Sequence, residues 1–367
     1  MNIIYLVSDL RAAGPTNQAF NLITGLSKIG VNAWIVTLYE ERDDSWYERF
    51  VAANVNVYQL HTDHKNLLRA VRKLEKFIVD NNISILHSSG MSADFVNRLV
   101  KADVVKVNTV RQEFGALAEG KGYFKKLITR LITISNHRAM DVRIACSRSL
   151  QNHLNNYSAL NYECVENGVD IEKYDMVDIN QKNSIRDKLG ISKDSIVFLS
   201  VGVLYTRKQT LSMAQTFLKS NIPNAVLIVV GDGVEMDDLK LLAKMNPQII
   251  LIGKVIDPLQ YYHCADIFIS ASLAEGLPNT VMEAMACGLP CILSDIGPHK
   301  EILKYDPKAG TLFCTGDYHN LEQELKNSQT WDLITKSESA HRLVNENLSK
   351  FCTAKKYYDL YRKNSYE

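Results

Sequence analysis

No run of about 18 apolar residues occurs anywhere along the 367-residue chain, so no segment reads as a membrane-spanning helix. Nor is there an excess of either charge. Lys and Arg number 42 against 41 Asp and Glu, a net charge of +1 at pH 7, which excludes a nucleic-acid binder driven by bulk basicity. The chain has no Cys-x2-Cys pair. Its seven cysteines (Cys146, Cys164, Cys264, Cys287, Cys291, Cys314, Cys352) are scattered, and the closest two flank a Gly-Leu-Pro turn. That pattern speaks against a disulfide framework or a zinc site and for buried thiols in a reducing cytosol. No Asp-x-Asp motif stands at a strand end. The opening Met-Asn-Ile-Ile-Tyr-Leu-Val-Ser-Asp turns polar too soon for a signal peptide, so a cytoplasmic protein is expected.

What is present is ample apolar material, 46% of residues, enough for a sizeable core in each of two domains of about 170 residues. Short apolar runs at 2–8, 31–38, 54–58, 83–87, 103–109 and 141–146 alternate with helical patterns at 15–29, 65–80 and 121–139. A second series of runs follows at 195–202, 225–230, 249–253, 267–270 and 291–294, and a polar hinge at 171–190 carries a short helix from 183. Such alternation predicts an α/β architecture of parallel sheets covered on both faces, with ligands at the carboxyl ends of the strands.

The richest such end is Ser270-Ala-Ser-Leu-Ala-Glu-Gly-Leu-Pro-Asn-Thr-Val-Met-Glu-Ala-Met-Ala-Cys-Gly-Leu-Pro290. It reads as strand, tight loop and short helix, with Pro278 in the first helical turn and Gly288 at the end. Backbone N–H groups near Leu277, Asn279 and Thr280 would form an anion site at the positive end of the helix dipole. Glu283 lies roughly 7.5 Å further along the axis at about 1.5 Å per residue, a separation suited to phosphates at one end and a vicinal diol at the other.

This string, with Glu275 and Glu283 in a Glu-x7-Glu spacing, closely resembles the signature of the retaining glycosyltransferases of family 4, which adopt the GT-B fold of two facing Rossmann-like domains with a cleft between them. The resemblance covers nearly the whole chain, most strongly 195–295 and least 35–80. It implies domains at 1–172 (acceptor side) and 173–350 (nucleotide-sugar donor side), with 351–367 a terminal helix crossing back to the first. It also implies a site. Glu275 would lie beside the donor sugar and Glu283 would hold the nucleotide ribose, with Gly276, Leu277, Pro278, Asn279 and Thr280 around the donor. Gly14 matches the loop facing the donor phosphates, although Ala13 stands where the family has a second glycine. Lys208 matches the lysine facing the diphosphate. Val203 and Gln209 replace the usual arginine and glycine, and Arg207 is the neighbour that could stand in. Gly231 and Gly233 match the Gly-x-Gly of the donor domain, and the base would pack near Gly253 and Val255. His87 matches one member of a cleft His-x-His whose second member is Ser89, and Arg111 stands where a later histidine is expected; with Glu275, both are candidate catalytic residues.

The expected activity is transfer of a hexosyl group from a nucleotide diphosphate sugar, UDP favoured, to a hydroxyl acceptor such as a lipid-linked glycan in polysaccharide assembly. The resemblance implies retention by same-face attack, with no metal and no cofactor. The alternatives are a sugar-nucleotide epimerase of similar architecture and a non-catalytic donor-binding partner of another transferase. Finally, 121–138 carries Phe124, Leu127, Ile128, Leu131 and Ile134 at helical spacing with Lys121, Lys125 and Lys126 toward one end. This reads either as a core-packed helix or as a peripheral contact with the inner face of the plasma membrane, helped by Lys65, Arg69, Arg72, Lys73 and Lys76.

Overall fold

Strands buried on both faces read as near-continuous apolar runs, and both sheets of this protein are made that way. The computed structural model describes residues 1–63, 66–112 and 123–365, with Tyr123 and Lys126 described in backbone only. The chain divides into two compact units, Met1–Gly168 with Lys350–Glu367, and Val169–Ser349. The first begins with β1 (Asn2–Val7), α1 (Gly14–Lys28), β2 (Asn32–Thr37), α2 (Tyr47–Ala52), β3 (Asn56–Gln59), α3 (Leu67–Asp80) and β4 (Ile85–Ser88). It continues with α4 (Met91–Leu99), β5 (Val105–Val110), α5 (Tyr123–Arg138), β6 (Val142–Ala145), α6 (Arg148–Ser158) and β7 (Glu163–Cys164). The second comprises α7 (Ile179–Leu189), β8 (Ile196–Val201), α8 (Thr210–Ser220), β9 (Ala225–Val230), α9 (Met236–Met245), β10 (Ile249–Gly253) and α10 (Leu259–Cys264). It closes with β11 (Ile267–Ser270), α11 (Asn279–Ala286), β12 (Cys291–Ser294), α12 (Gly297–Leu303), β13 (Gly310–Phe313), α13 (Tyr318–Asn327) and α14 (Leu333–Asn347). The last helix, α15 (Lys350–Asn364), belongs to the first unit.

The first sheet runs β3-β2-β1-β4-β5-β6-β7 and the second β10-β9-β8-β11-β12-β13, with every pair parallel. Strand order reverses between β1 and β4 in one and between β8 and β11 in the other. Outside the carboxyl ends of these strands lie the crevices in which open α/β sheets bind ligands. Alternation along β1 fills two cores: Ile3 and Tyr5 face the layer of α1 and α15, while Ile4 and Leu6 face that of α3 and α4. A Cβ on Gly25 would lie 2.8 Å from that of Ala354, so glycine lets α1 and α15 pack closely. In the second unit Phe198, Leu227, Val229, Ile267 and Ile269 share one core with α8 and α13.

Two details differ from expectation, and a third decides against one of the two readings of α5. The hinge helix starts at Ile179, earlier than 183, because Asp178 caps it, Oδ1 accepting from the N–H groups of Asn180 (2.8 Å) and Gln181 (2.9 Å). Pro278 is the extended residue ahead of α11 (φ −76°, ψ 112°) and not part of its first turn. The ring fixes φ but leaves ψ extended, so the helix opens one residue later. The third concerns α5, which is not core-packed through its apolar stripe: Phe124 is 78% exposed and Leu131 59%, with Leu127, Ile128 and Ile132 exposed as well. Its inward face is polar instead, with Thr133, Asn136 and His137 buried and His137 bonded to Asp94 and Tyr162. Ser147 caps α6, accepting from Leu150 N–H at 3.1 Å.

Candidate functional site

At the switch point of the second sheet, the loops after β8 and β11 are stitched together. Leu273 N–H donates to the Arg207 carbonyl (2.8 Å), and the Arg207 guanidinium donates to the Ala274 carbonyl (3.1 Å). This places three of the expected residues side by side. Lys208 Nζ donates to Glu275 Oε1, Ser272 Oγ donates to the same oxygen at 2.8 Å, and Arg207 stands 3.8 Å from Oε2. Glu275 is 9% exposed, Lys208 20% and Arg207 32%. Burial pushes the Glu275 carboxyl up, but the Lys208 charge, the Lys208 and Ser272 hydrogen bonds and nearby His299 outweigh it and hold it below its usual range. The site is therefore a charged pair with a second cation at its edge.

Beside it, the loops after β8, β9 and β10 bond in a row: Gly202 N–H to Val230 C=O, Leu204 N–H to Asp232 C=O and Gly231 N–H to Gly253 C=O, each 2.9 Å. Gly231 (φ +142°) and Gly233 (φ +154°) are required by this approach, since a Cβ would fall 1.8 Å from the Gly202 carbonyl oxygen and 2.8 Å from that of Leu204. Gly253 is left-handed (φ +80°) and Val255 half-buried beyond it.

The two helix starts at this switch point differ. That of α8 is taken by Glu235, whose Oε2 accepts from Thr210 N–H (3.0 Å) and Leu211 N–H (3.2 Å). Burial raises the pKa of that carboxyl despite these bonds. The start of α11 is built differently: Pro278 ahead of it has a ring that cannot accept a hydrogen bond, Gly276 and Leu277 lead into it, and Asn279 and Thr280 begin the helix. Glu283 is 6% exposed further along α11, its Oε2 accepting from Tyr262 Oη at 3.0 Å.

Two neighbours were not foreseen. Ser294 Oγ donates to the Ser272 carbonyl (2.6 Å), and His299 Nδ1 lies 2.8 Å from the Ser294 carbonyl. A carbonyl only accepts, so Nδ1 carries the proton and buried Nε2 has no partner among the described residues. Burial brings the His299 pKa down to about 4 against the opposing pull of Glu275. The available signal was Ser294, a hydroxyl closing an otherwise apolar strand.

The other three candidates lie in the first unit. Gly14 opens α1 behind extended Ala13. His87 is fully buried: Nδ1 meets Tyr361 Oη at 2.5 Å and Nε2 meets Thr109 Oγ1 at 2.8 Å, with Tyr357 Oη 2.9 Å from Thr109. Burial, then Arg111, press its pKa well below the usual value. His87, a candidate catalytic residue by its match to the cleft His-x-His, is thus enclosed by the tyrosines of α15. Arg111 donates to Asn167 Oδ1 and, at 3.1 Å, to Tyr5 Oη, while its buried Nε has no partner among the described residues. Burial works against its charge, but Tyr5, Tyr357 and Cys146 around it hold its pKa above the usual value.

Residues 12–173 match the family model described as Glycosyltransferase Family 4, and residues 181–347 the model described as Glycosyl transferases group 1. The chain belongs to the family 4 glycosyltransferases. Relatives of this glycosyltransferase include the UDP-Gal:alpha-D-GlcNAc-diphosphoundecaprenol alpha-1,3-galactosyltransferase of Escherichia coli, 34% identical over 188 residues. That alignment spans 49% of this chain and 46% of the relative, less than half of either. The O-antigen biosynthesis glycosyltransferase WclY of Escherichia coli is 27% identical over 304 residues, 81% of this chain and 80% of WclY. HepE of Anabaena, solved in complex with UDP, superposes with a TM-score of 0.81 at 17% identity, over 99% of this chain and 100% of that one. At that identity the likeness speaks for the fold, which is GT-B. Among the described residues, no helix is long and apolar enough to cross a membrane.

Proposed function

We propose that this family 4 glycosyltransferase moves a sugar from a UDP-sugar to a hydroxyl of a lipid-linked glycan, with retention at the anomeric carbon and without a metal ion. The observation that carries the reading is the Lys208–Glu275 pair, with Arg207 at its edge, beside the start of α11. A diphosphate seated there meets two cations and a helix dipole, and these stabilise the charge that grows on the leaving phosphate. Glu283 accepts from the ribose hydroxyls, and Glu275 stands beside the donor sugar. In a same-face attack a phosphate oxygen takes the proton of the acceptor hydroxyl as the glycosidic bond forms, so no protein nucleophile is needed. The names of the relatives favour UDP and a diphospholipid acceptor: one is a UDP-Gal transferase acting on a diphosphoundecaprenol-linked sugar, and HepE was solved with UDP.

A lipid-linked acceptor fits the exposed apolar stripe of α5, flanked by exposed Lys125 and accompanied on α3 by exposed Arg69, Arg72 and Lys76. Lys65 and Lys121 lie outside the described residues, as does the Lys126 side chain. Such a helix rests in the headgroup region with its apolar face down. The protein should float with anionic liposomes at low salt, and Phe124→Glu with Ile128→Glu should abolish flotation while leaving UDP binding intact. Flotation unaffected by these substitutions would remove α5 from the membrane contact.

To test the reaction, nucleotide sugars are screened for thermal stabilisation, and the best is incubated with candidate acceptors in excess EDTA. The anomeric configuration of the product is then read by NMR. Retention and indifference to EDTA are expected. Inversion, or activity lost to EDTA and restored by Mg²⁺ or Mn²⁺, would refute the mechanism. Isomerisation of the donor without any acceptor would make the protein an epimerase.

A further inference from the structure

A carboxylate that is to grip two hydroxyls must be held at a fixed rotation, because each of its oxygens accepts in its own plane. Glu283 is buried at 6% exposure, and the hydroxyl that fixes it comes from another helix: Tyr262 of α10, itself 0% exposed, lies 3.0 Å from Oε2. A carboxylate oxygen only accepts, so the phenol donates. The ring is locked in turn, edge-on to Tyr174 (centroids 5.8 Å apart, 85°) and tilted on Phe268 of β11 (6.2 Å, 33°). The line from β11 through Phe268 and Tyr262 to Glu283 thus ties the carboxylate to the sheet as well as to its own helix. Burial, and then the charge of Glu283, push the phenol's pKa well up, so it remains a donor throughout the physiological range.

We propose that Tyr262 is a positioning residue for Glu283, holding its carboxylate in the orientation that receives the vicinal diol of the nucleotide ribose. This rests on the reading of Glu283 as the ribose acceptor, and the test separates the two. UDP and 2′,3′-dideoxy-UDP are titrated by calorimetry into wild type and Tyr262→Phe. Wild type should prefer UDP by about tenfold or more, since hydrogen bonds to a charged acceptor are at stake. No preference would overturn the ribose reading itself. Given that preference, Tyr262→Phe should weaken UDP about three- to tenfold and the dideoxy analogue by less than about twofold. Equal losses for both nucleotides, or no loss for either, would overturn the positioning role and leave Tyr262 as core packing. The double variant Tyr262→Phe with Glu283→Ala gives an independent reading. It should bind UDP no more weakly than Glu283→Ala alone, and a further additive loss would contradict the coupling.

Discussion

The two sheets turn at equivalent points, and each holds a polar cluster there, but the clusters are built in opposite ways. In the first unit His87, Thr109, Arg111 and Tyr5 meet Tyr357 and Tyr361 of α15, and the chain's own phenols enclose the cluster, leaving only the buried Nε of Arg111 without a partner among the described residues. In the second, Glu275 meets Lys208 and Arg207, whose side chains remain 20% and 32% exposed. The topology supplies the place for a ligand twice. Whether the place stays available depends on what the rest of the chain packs into it. An enclosed polar network is structural, whereas a half-open cation pair on a buried carboxylate can exchange partners with an incoming anion.

The largest effect that would break this contrast is at Glu275. Its replacement by Ala should reduce transfer by about 10²- to 10³-fold, while UDP affinity stays level or rises as Lys208 and Arg207 lose their carboxylate. A matching loss of UDP affinity would place Glu275 on the nucleotide instead. Next comes a pH test of the buried histidines. His299 is held at about 4 and His87 well below its usual value, so each folded pKa lies below the unfolded one near 6.5. As pH falls from about 6.5 toward 4, the unfolded chain takes up protons that the folded one refuses, and stability present above that window is lost. In urea unfolding, His299→Asn should remove about 2–3 kcal/mol of that decline; an unchanged slope would mean that His299 is not buried neutral. The smallest effect is Tyr361→Phe, expected to lower stability by about 1 kcal/mol with UDP affinity unchanged. A changed affinity would show that the enclosed cluster is not purely structural.

Much of this was legible in the residues. The bounds of β9, β10, β11 and β12 coincide with apolar runs between turn residues, because a parallel strand buried on both faces leaves a plain signature. Glu275, Lys208 and Arg207 were expected near one ligand, and the structure adds their direct pairing. What failed to show had physical reasons. The apolar stripe of α5 gave a helix but not the destination of its face, since the period is the same whether the stripe faces core or solvent. His87 was a candidate only by its match at a strand end, and its enclosure comes from the return of α15, whose Tyr361 lies 274 positions later. His299 and Tyr262 carried no local motif; their partners are Ser294 at a strand end and Glu283 on another helix.

The most direct measurement compares uridine with UDP on wild type and Lys208→Ala by calorimetry. If the second cluster is the diphosphate site, the variant should lose about tenfold or more in UDP affinity, and uridine should bind both proteins alike. Equal losses for uridine and UDP, or a UDP affinity indifferent to Lys208, would contradict it.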